Sequence, residues 1–202
     1  MSKRSKSAIR CLRCRMQLHR CIWEHIPCLE LKTRLALVMH HREVKKPTAT
    51  GPLALEALAK SQLYVHGLTH EPLDLSHLHH EGRRVLLLFP ASDARVLDRN
   101  LSDEDSRPIT LVVPDGTWGQ ASRMPTRVKG LDMAERVTLP AGEESRWGIR
   151  RETREGGLAT FEAIARAFGI LESSRVQIEL EELFLRMVKN TLEVRHGLEA
   201  IH

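Results

Sequence analysis

The chain reads Leu111-Val112-Val113-Pro114-Asp115-Gly116-Thr117-Trp118 at the point where a short apolar run meets an Asp-Gly turn. An apolar run of this length predicts a buried strand, and Asp-Gly is typical of the turn that leaves one. In α/β proteins ligands bind beyond the carboxyl ends of strands, so this turn is a candidate site. These residues alone leave an equal alternative open: Asp115 or Thr117 is the N-cap of the next helix, and Trp118 belongs to the core.

The segments on either side repeat the alternation of strand and helix. Residues 85–89 form a continuous apolar run closed by Pro90, and we expect residues 91–94 to be a second strand-to-helix turn. Further strands are predicted at 31–40, 109–113 and 136–139, and helices at 51–59, 160–168 and 174–195. The pattern predicts an α/β fold with a mostly parallel sheet and helices on both of its faces. No Gly-x-Gly-x-x-Gly motif or phosphate-binding loop is present, which disfavours a dinucleotide or nucleoside-triphosphate enzyme.

Size and composition are those of one ordinary globular domain. The chain has 202 residues, of which 42% are hydrophobic and 28% charged, enough for a full core. No apolar run approaches the roughly 20 residues that span a bilayer, and no apolar signal core follows the start. We therefore expect a cytoplasmic protein without a membrane partner. The apolar positions of the helix at 174–195 close the core or pair two subunits, so the chain is expected to be a monomer or a homodimer.

Basic residues are concentrated at the amino terminus. Residues 1–34 contain nine Lys and Arg against two Glu, a net charge of +7 in a chain whose total is +5. A basic arm on a nearly neutral body predicts attraction to a polyanion, with nucleic acid ahead of membrane. A solvated tail is the alternative.

All four cysteines also lie near the amino terminus, at Cys11, Cys14, Cys21 and Cys28. The Cys-x2-Cys pair lets two thiolates reach one tetrahedral ion, and the other two could complete a structural zinc site. His19 and His25 are possible substitutes. Free thiols or an iron–sulfur cluster are the alternatives, because the second pair is spaced by six residues instead of two. The chain is accordingly divided into a basic, Cys-rich segment, 1–30, and a domain, 31–202.

Five motifs follow the Cys-rich start in order along the chain. They are Met39-His40-x2-Glu43, Lys46-Pro47-Thr48-x-Thr50-Gly51, Phe89-Pro90-Ala91-Ser92, Asp115-Gly116-Thr117-Trp118-x2-Ala121 and Leu158-x-Thr160-x-Glu162-Ala163. Together they resemble the DTW-domain proteins, which are tRNA-uridine aminocarboxypropyltransferases. The resemblance runs from about Cys11 to Phe168 and implies a SPOUT-like fold with a knotted S-adenosylmethionine site. Chain topology alone would predict an unknotted sheet.

The family activity that the resemblance implies is transfer of the 3-amino-3-carboxypropyl group of S-adenosylmethionine to N3 of a tRNA uridine. The position is typically 47, in the variable loop, and methylthioadenosine is released. Asp115 is implied as the base or as the acceptor that positions the uracil, with Trp118 and Glu43 as further catalytic candidates. The residues implied to hold the co-substrate are Pro90, Ser92, Asp115, Gly116, Thr117, Trp118, Arg150, Leu158, Thr160 and Glu162.

RNA contacts are expected at basic residues of the arm and of two loops. Arg150 is expected to pair with the methionine carboxylate of the co-substrate, and an RNA phosphate is its alternative partner. Glu43 and Lys46 are also consistent with an ordinary surface ion pair. The expected RNA contacts are Lys3, Arg4, Arg10, Lys46 and Arg151.

Three positions depart from the family pattern. Trp23 stands where a further cysteine is usual, Ala49 replaces an Asn, and Pro52 replaces an Arg. Two other functions stay open from sequence: a methyltransferase that uses the same co-substrate, and a catalytically idle, zinc-containing RNA-binding protein.

Overall fold

One parallel sheet organises the molecule. The computed structural model describes residues 9–143, 145 and 157–195. The strands follow the order β2-β1-β5-β3-β6-β4, and every neighbouring pair is parallel. The predicted α/β class with a mostly parallel sheet is therefore confirmed. The strands are β1 (Arg34–His40), β2 (Ser61–His66), β3 (Arg84–Leu88), β4 (Arg95–Val96), β5 (Ile109–Asp115) and β6 (Glu135–Thr138).

Helices cover both faces of the sheet, as predicted. Because side chains alternate along a strand, Leu35 and Leu37 face one core while Ala36 and Val38 face the other. The first core includes residues of α1, α5 and α6, and the second is closed by α4 and the 3₁₀ turn Ser76–His80. The helices are α1 (Gly51–Ala57), α2 (Leu101–Glu104), α3 (Trp118–Ala121), α4 (Met124–Arg127), α5 (Thr160–Leu171) and α6 (Ser174–Arg195). No described helix combines the length and the apolar character that crossing a membrane requires.

Four predicted strands and three predicted helices are present, and two strands had not been predicted. The edge strand β2 is mostly half-buried, so its residues lack the continuous apolar run that marked β3 and β5. The prediction that residues 91–94 lead into a helix is wrong. They lead into the two-residue strand β4, whose Arg95 pairs in register with Val137 of β6.

The described part of the Cys-rich segment packs against the domain. Cys14, Met16 and Ile22 belong to the same core as α1, α5 and α6. The buried Arg20 forms an ion pair with Glu193 of α6. Two 3₁₀ turns, Leu18–Arg20 and Trp23–His25, give the segment its shape. The apolar positions predicted for α6 are buried, namely Val176, Leu180, Leu183, Phe184, Met187 and Val188.

Candidate functional site

Asp115 ends the central strand β5 at the carboxyl edge of the sheet, between β1 and β3. It is paired in register with Met39 of β1, and its side chain is only 4% exposed. Leu111 and Val113 face the core beneath α1 and α5, and the two-residue period places Asp115 on the same side. The carboxylate therefore lies where parallel sheets hold ligands, on the side of the longer helices.

Two helix starts enclose the Asp115 carboxylate. Thr160, the first residue of α5, donates its hydroxyl to Oδ1 at 2.7 Å. Gly51, the first residue of α1, approaches so closely that a Cβ there would lie 2.6 Å from Oδ2. A hydrogen bond also connects the two helix starts to each other. The N–H of Phe161 in α5 donates to Oγ1 of the buried Thr50, just before α1, at 3.2 Å. The carboxylate is thus fixed by hydrogen bonding and by the absence of a side chain at Gly51.

The residues after Asp115 form a tight turn into α3. A Cβ at Gly116 would lie 3.0 Å from the Gln120 side chain, so only glycine fits there without a shift. Thr117 is the N-cap of α3, and its N–H donates to Oε1 of Gln120 at 2.7 Å. The sequence-based alternative that assigned an N-cap to this turn is confirmed for Thr117.

The same alternative placed Trp118 in the core, and that prediction is wrong. It begins α3, is 37% exposed, and packs on Phe89 with ring centroids 4.9 Å apart. The exposure of Trp118 depends on how α3 is placed at the sheet edge, which local sequence does not reveal. The contact brings the Asp115 turn beside the loop after β3, where Pro90 and Ser92 are exposed.

The start of α5 connects Asp115 with a cavity of about 410 Å³. Glu162 lies two residues after Thr160 and lines the cavity. Its Oε2 accepts the Ala159 N–H at 2.9 Å and the Ser145 hydroxyl. Leu158, just before, is half-buried. The volume is within the range of small-molecule pockets, which run from about 300 to 1,000 Å³. The other lining residues include Leu139, Pro140, Arg166, Gln177, Glu181 and Phe184.

Glu43 is buried in the loop after β1. Its side chain is 1% exposed, and Oε1 accepts Lys46 Nζ at 2.5 Å. The prediction of an ordinary surface pair is therefore wrong for Glu43, although Lys46 remains 43% exposed. Burial of a carboxylate requires compensation by charge or hydrogen bonds, and Lys46 supplies part of it.

The structure adds three histidines at the carboxyl ends of β1 and β2 that sequence reasoning had not grouped. The rings of His40 and His41 stack at 4.5 Å, and His66 stands edge-on to His40 at 6.2 Å. Burial, followed by the neighbouring imidazoles, lowers the pKa of His40. Burial and then Arg127 lower the pKa of His66. Only His40 carried a sequence signal, because it ends the strand predicted at 31–40, whereas the strand that His66 ends had not been predicted.

Three of the four predicted metal ligands come together. The Sγ atoms of Cys11, Cys14 and Cys21 all lie within 4.8 Å of one another. The exposed Cys28 does not join them, nor does His19 or His25, so the prediction of Cys28 as the fourth ligand departs from the structure.

The environments of the clustered thiols differ. A hydrogen bond from the Cys14 backbone N–H is the main influence lowering the pKa of Cys11, whereas burial raises the pKa of Cys21 to about 11. Cys14 and Cys21 lie 3.5 Å apart through their sulfur atoms. Thiolate sulfur suits zinc, and these three sulfur atoms would supply three of the four ligands that a tetrahedral structural site takes.

Several predicted RNA contacts fall beyond what the structure covers. Lys3, Arg4, Arg150 and Arg151 lie outside the described residues. Arg10 is exposed and donates to the Arg15 carbonyl oxygen at 3.0 Å.

Comparison with known proteins confirms the resemblance seen in the motifs. A family model described as the DTW domain matches residues 8–192. A macaque (Macaca fascicularis) protein named tRNA-uridine aminocarboxypropyltransferase 2 is 26% identical over 198 residues, which cover 94% of this chain and 65% of the relative. A Drosophila melanogaster protein of the same name is 28% identical over 150 residues, covering 71% of this chain and 58% of the relative. The chain thus spans less than two thirds of the length of these relatives.

Among solved structures, the SAM-dependent rRNA:acp-transferase Tsr3 from Vulcanisaeta distributa aligns over 82% of this chain and 80% of its own. The TM-score is 0.49 and the sequence identity is 16%.

Proposed function

This chain belongs to the DTW-domain family, and we propose that it transfers the 3-amino-3-carboxypropyl group of S-adenosylmethionine to N3 of a tRNA uridine, at position 47 of the variable loop. The relatives named tRNA-uridine aminocarboxypropyltransferase 2 support this reaction class. The observation that carries the proposal is the enclosure of the Asp115 carboxylate between Thr160 and Gly51 at the carboxyl edge of the sheet.

The reaction is a nucleophilic substitution at carbon. Uridine N3 loses its proton and forms a bond to the γ-carbon of the methionine moiety, while the bond from that carbon to the sulfonium sulfur breaks. The sulfur keeps the bonding pair and leaves as the neutral thioether of methylthioadenosine. The protein must therefore accept or direct one proton and hold the nucleophile in line with the carbon–sulfur bond.

Asp115 is the residue suited to accept or direct the N3 proton. Its carboxylate is buried and held by the Thr160 hydroxyl, so it has a fixed direction before substrate arrives. A preoriented acceptor beside N3 either takes the proton or aligns the uracil ring through the N3–H bond. Trp118, packed on Phe89 and partly exposed at the same edge, offers a flat apolar wall to the substrate. Glu43 lies in the next loop of that edge, paired with Lys46.

The region that we propose for the co-substrate extends from the Asp115 turn to the cavity at α5. Of the proposed contacts, Glu162 lines the cavity, whereas Gly116, Thr117, Leu158 and Thr160 lie in the Asp115 turn and at the start of α5. Pro90 and Ser92 border it through the contact between Phe89 and Trp118. We propose that Arg150 binds the methionine carboxylate of the co-substrate. The residues proposed to contact RNA are Lys3, Arg4, Arg10, Lys46 and Arg151. A knotted binding loop stays part of the proposal.

Zinc is the metal that we propose for the Cys-rich segment, held by Cys11, Cys14 and Cys21. The cluster packs into the same core as α1 and α6, so an ion there would stabilise the segment against the domain. Its chemistry would be structural, because thiolate-rich zinc sites of this kind serve folding.

The test is incubation of the purified protein with S-adenosylmethionine and unmodified tRNA, followed by mass spectrometry of the nucleosides and the spent co-substrate. We expect a uridine heavier by one aminocarboxypropyl group and an equal amount of methylthioadenosine. A methylated base with S-adenosylhomocysteine would contradict the proposed transfer, and so would the absence of any product when binding of both substrates is demonstrated.

A further inference from the structure

An exposed tryptophan stands beside the thiol cluster with a cation over its ring. The Arg13 guanidinium carbon lies 4.4 Å from the Trp23 ring centroid, a cation–π geometry. Trp23 is 45% exposed, so the ring still offers area to a second flat group. Nothing in the proposed reaction uses this pair.

Both members of the pair are tied to the rest of the folded chain. Arg13 Nε donates to Oε2 of Glu56 in α1 at 2.7 Å, which fixes the guanidinium relative to the domain. Trp23 begins the 3₁₀ turn Trp23–His25, directly after the buried Ile22. A tryptophan side chain has only two χ angles, so covering it with a partner costs little conformational entropy, which favours its use in binding.

The segment that carries Trp23 is joined to a loop of the candidate site. Arg15 donates from its guanidinium to the Val44 carbonyl oxygen at 2.9 Å, next to the buried Glu43. A macromolecule that reaches Trp23 is therefore bound by an element in contact with the loop of Glu43 and Lys46. A small co-substrate would not need this surface, whereas an RNA would.

The charge of the segment distinguishes between a protein and an RNA as the partner of Trp23. Other apolar side chains near Trp23 in sequence are also exposed, at Ile9, Leu12 and Leu18, so the surface could suit a protein as well. Residues 1–34, however, carry a net charge of +7. Such an excess favours a polyanion, and a partly exposed tryptophan with a guanidinium over its ring is a group on which proteins stack single-stranded bases.

We propose that Trp23, backed by Arg13, is a stacking platform for an unpaired base of the RNA substrate. The proposal rests on the proposed function and deepens it, since it adds a base-binding site on the Cys-rich segment to the residues that enclose Asp115. Stacking on an aromatic ring is tolerant of base identity, because every base has a π-face. The platform would therefore strengthen and orient RNA binding without reading sequence.

The test measures binding without turnover, so that it is independent of the transfer reaction. Fluorescence anisotropy gives the dissociation constants of labelled unmodified tRNA, a single-stranded oligoribonucleotide and a fully paired RNA duplex of equal length. The variants are Trp23→Ala, the conservative Trp23→Phe and the control Leu12→Ala, whose residue is 96% exposed in the same segment. Thermal midpoints establish that each variant is folded.

We expect Trp23→Ala to weaken binding of tRNA and of the single strand by roughly tenfold, within the range found for base–aromatic stacking. Trp23→Phe should recover most of this loss, and the duplex should bind all variants alike. Equal affinities of Trp23→Ala and Leu12→Ala for the single strand would overturn the platform, as would an equal loss for the duplex. If tRNA is not modified but the Trp23→Ala variant still binds the single strand and tRNA more weakly, the transferase proposal fails and the stacking platform is supported.

Discussion

Asp115 Oδ1 accepts a 2.7 Å hydrogen bond from the hydroxyl of Thr160, which joins the end of the central strand β5 to the first residue of α5. These residues are 45 positions apart in the chain. The bond fixes the carboxylate at the sheet edge and connects it, through the start of α5, with the cavity that Glu162 lines.

Asp115→Asn should remove turnover while it preserves the fold. The amide keeps the shape and the acceptor oxygen for Thr160, but it can neither take a proton nor bear the negative charge. General-base contributions suggest a fall in rate of at least about 100-fold. Single-turnover assays measure the rate, and a thermal midpoint close to that of the parent would show that the fold is intact. Undiminished turnover would exclude Asp115 as base and as essential acceptor.

Thr160→Val tests the positioning role of the hydroxyl. Valine has nearly the same shape but cannot donate to Asp115. A hydrogen bond to a charged group contributes about 1.5–3 kcal/mol, so we expect kcat to fall about tenfold or more. The KM for tRNA should not change, and Thr160→Ser should restore kcat. A rise in KM with constant kcat would instead place Thr160 in substrate binding.

Gly51→Ala should disturb the site although alanine is the better helix residue. A Cβ there would lie 2.6 Å from Asp115 Oδ2 and 3.1 Å from a methyl of the buried Leu37, so the carboxylate must move. The matched control is Gly119→Ala in α3, where a Cβ meets nothing within 4 Å. The control should retain activity and be neutral or up to about 1 kcal/mol more stable. Full activity of Gly51→Ala would show that the site tolerates a displaced carboxylate.

Metal content separates the clustered cysteines from Cys28. We expect Cys14→Ser to lose bound zinc and Cys28→Ser to keep it, because only Cys11, Cys14 and Cys21 bring their sulfur atoms together. Elemental analysis by mass spectrometry after dialysis measures the zinc per chain. A chelator should lower the thermal midpoint of the parent protein and of Cys28→Ser. Loss of zinc from Cys28→Ser would mean that this thiol does complete the shell.

His66 should make the protein less stable in mild acid. Burial and Arg127 hold the pKa of His66 below its ordinary value of 6.5. Below pH 6.5 the unfolded chain therefore binds more protons than the folded one, and stability is lost as the pH falls from about 6.5 through the folded pKa. The groups facing His66 that produce the shift are Arg127 and His41.

Thermal midpoints at pH 7.5 and pH 5.5 test this. The fall between them should be smaller in His66→Gln than in the parent or in His19→Gln, whose residue is exposed. Identical falls in the three proteins would show that His66 contributes nothing to the acid sensitivity.

Much of the fold could be predicted because the relevant signals are local. Continuous apolar runs marked β3 and β5, and the helical spacing of its apolar positions marked α6, since each pattern reflects burial of a single element. The edge strand β2 was missed because its side chains are mostly half-buried, and β4 because it has only two residues. The motifs likewise placed Asp115 at the end of a strand.

The sequence by itself determined the class of the fold, the order of its main elements and the residue types at the candidate site, because these depend on periodicity and turn chemistry within short stretches. Only the tertiary structure decided which residues meet. It buried Glu43, left Trp118 and Trp23 exposed, excluded Cys28 from the thiol cluster and brought Thr160 and Gly51 to Asp115. Those outcomes depend on contacts between residues far apart in the chain, and the packing of helices on both faces of one sheet sets those contacts.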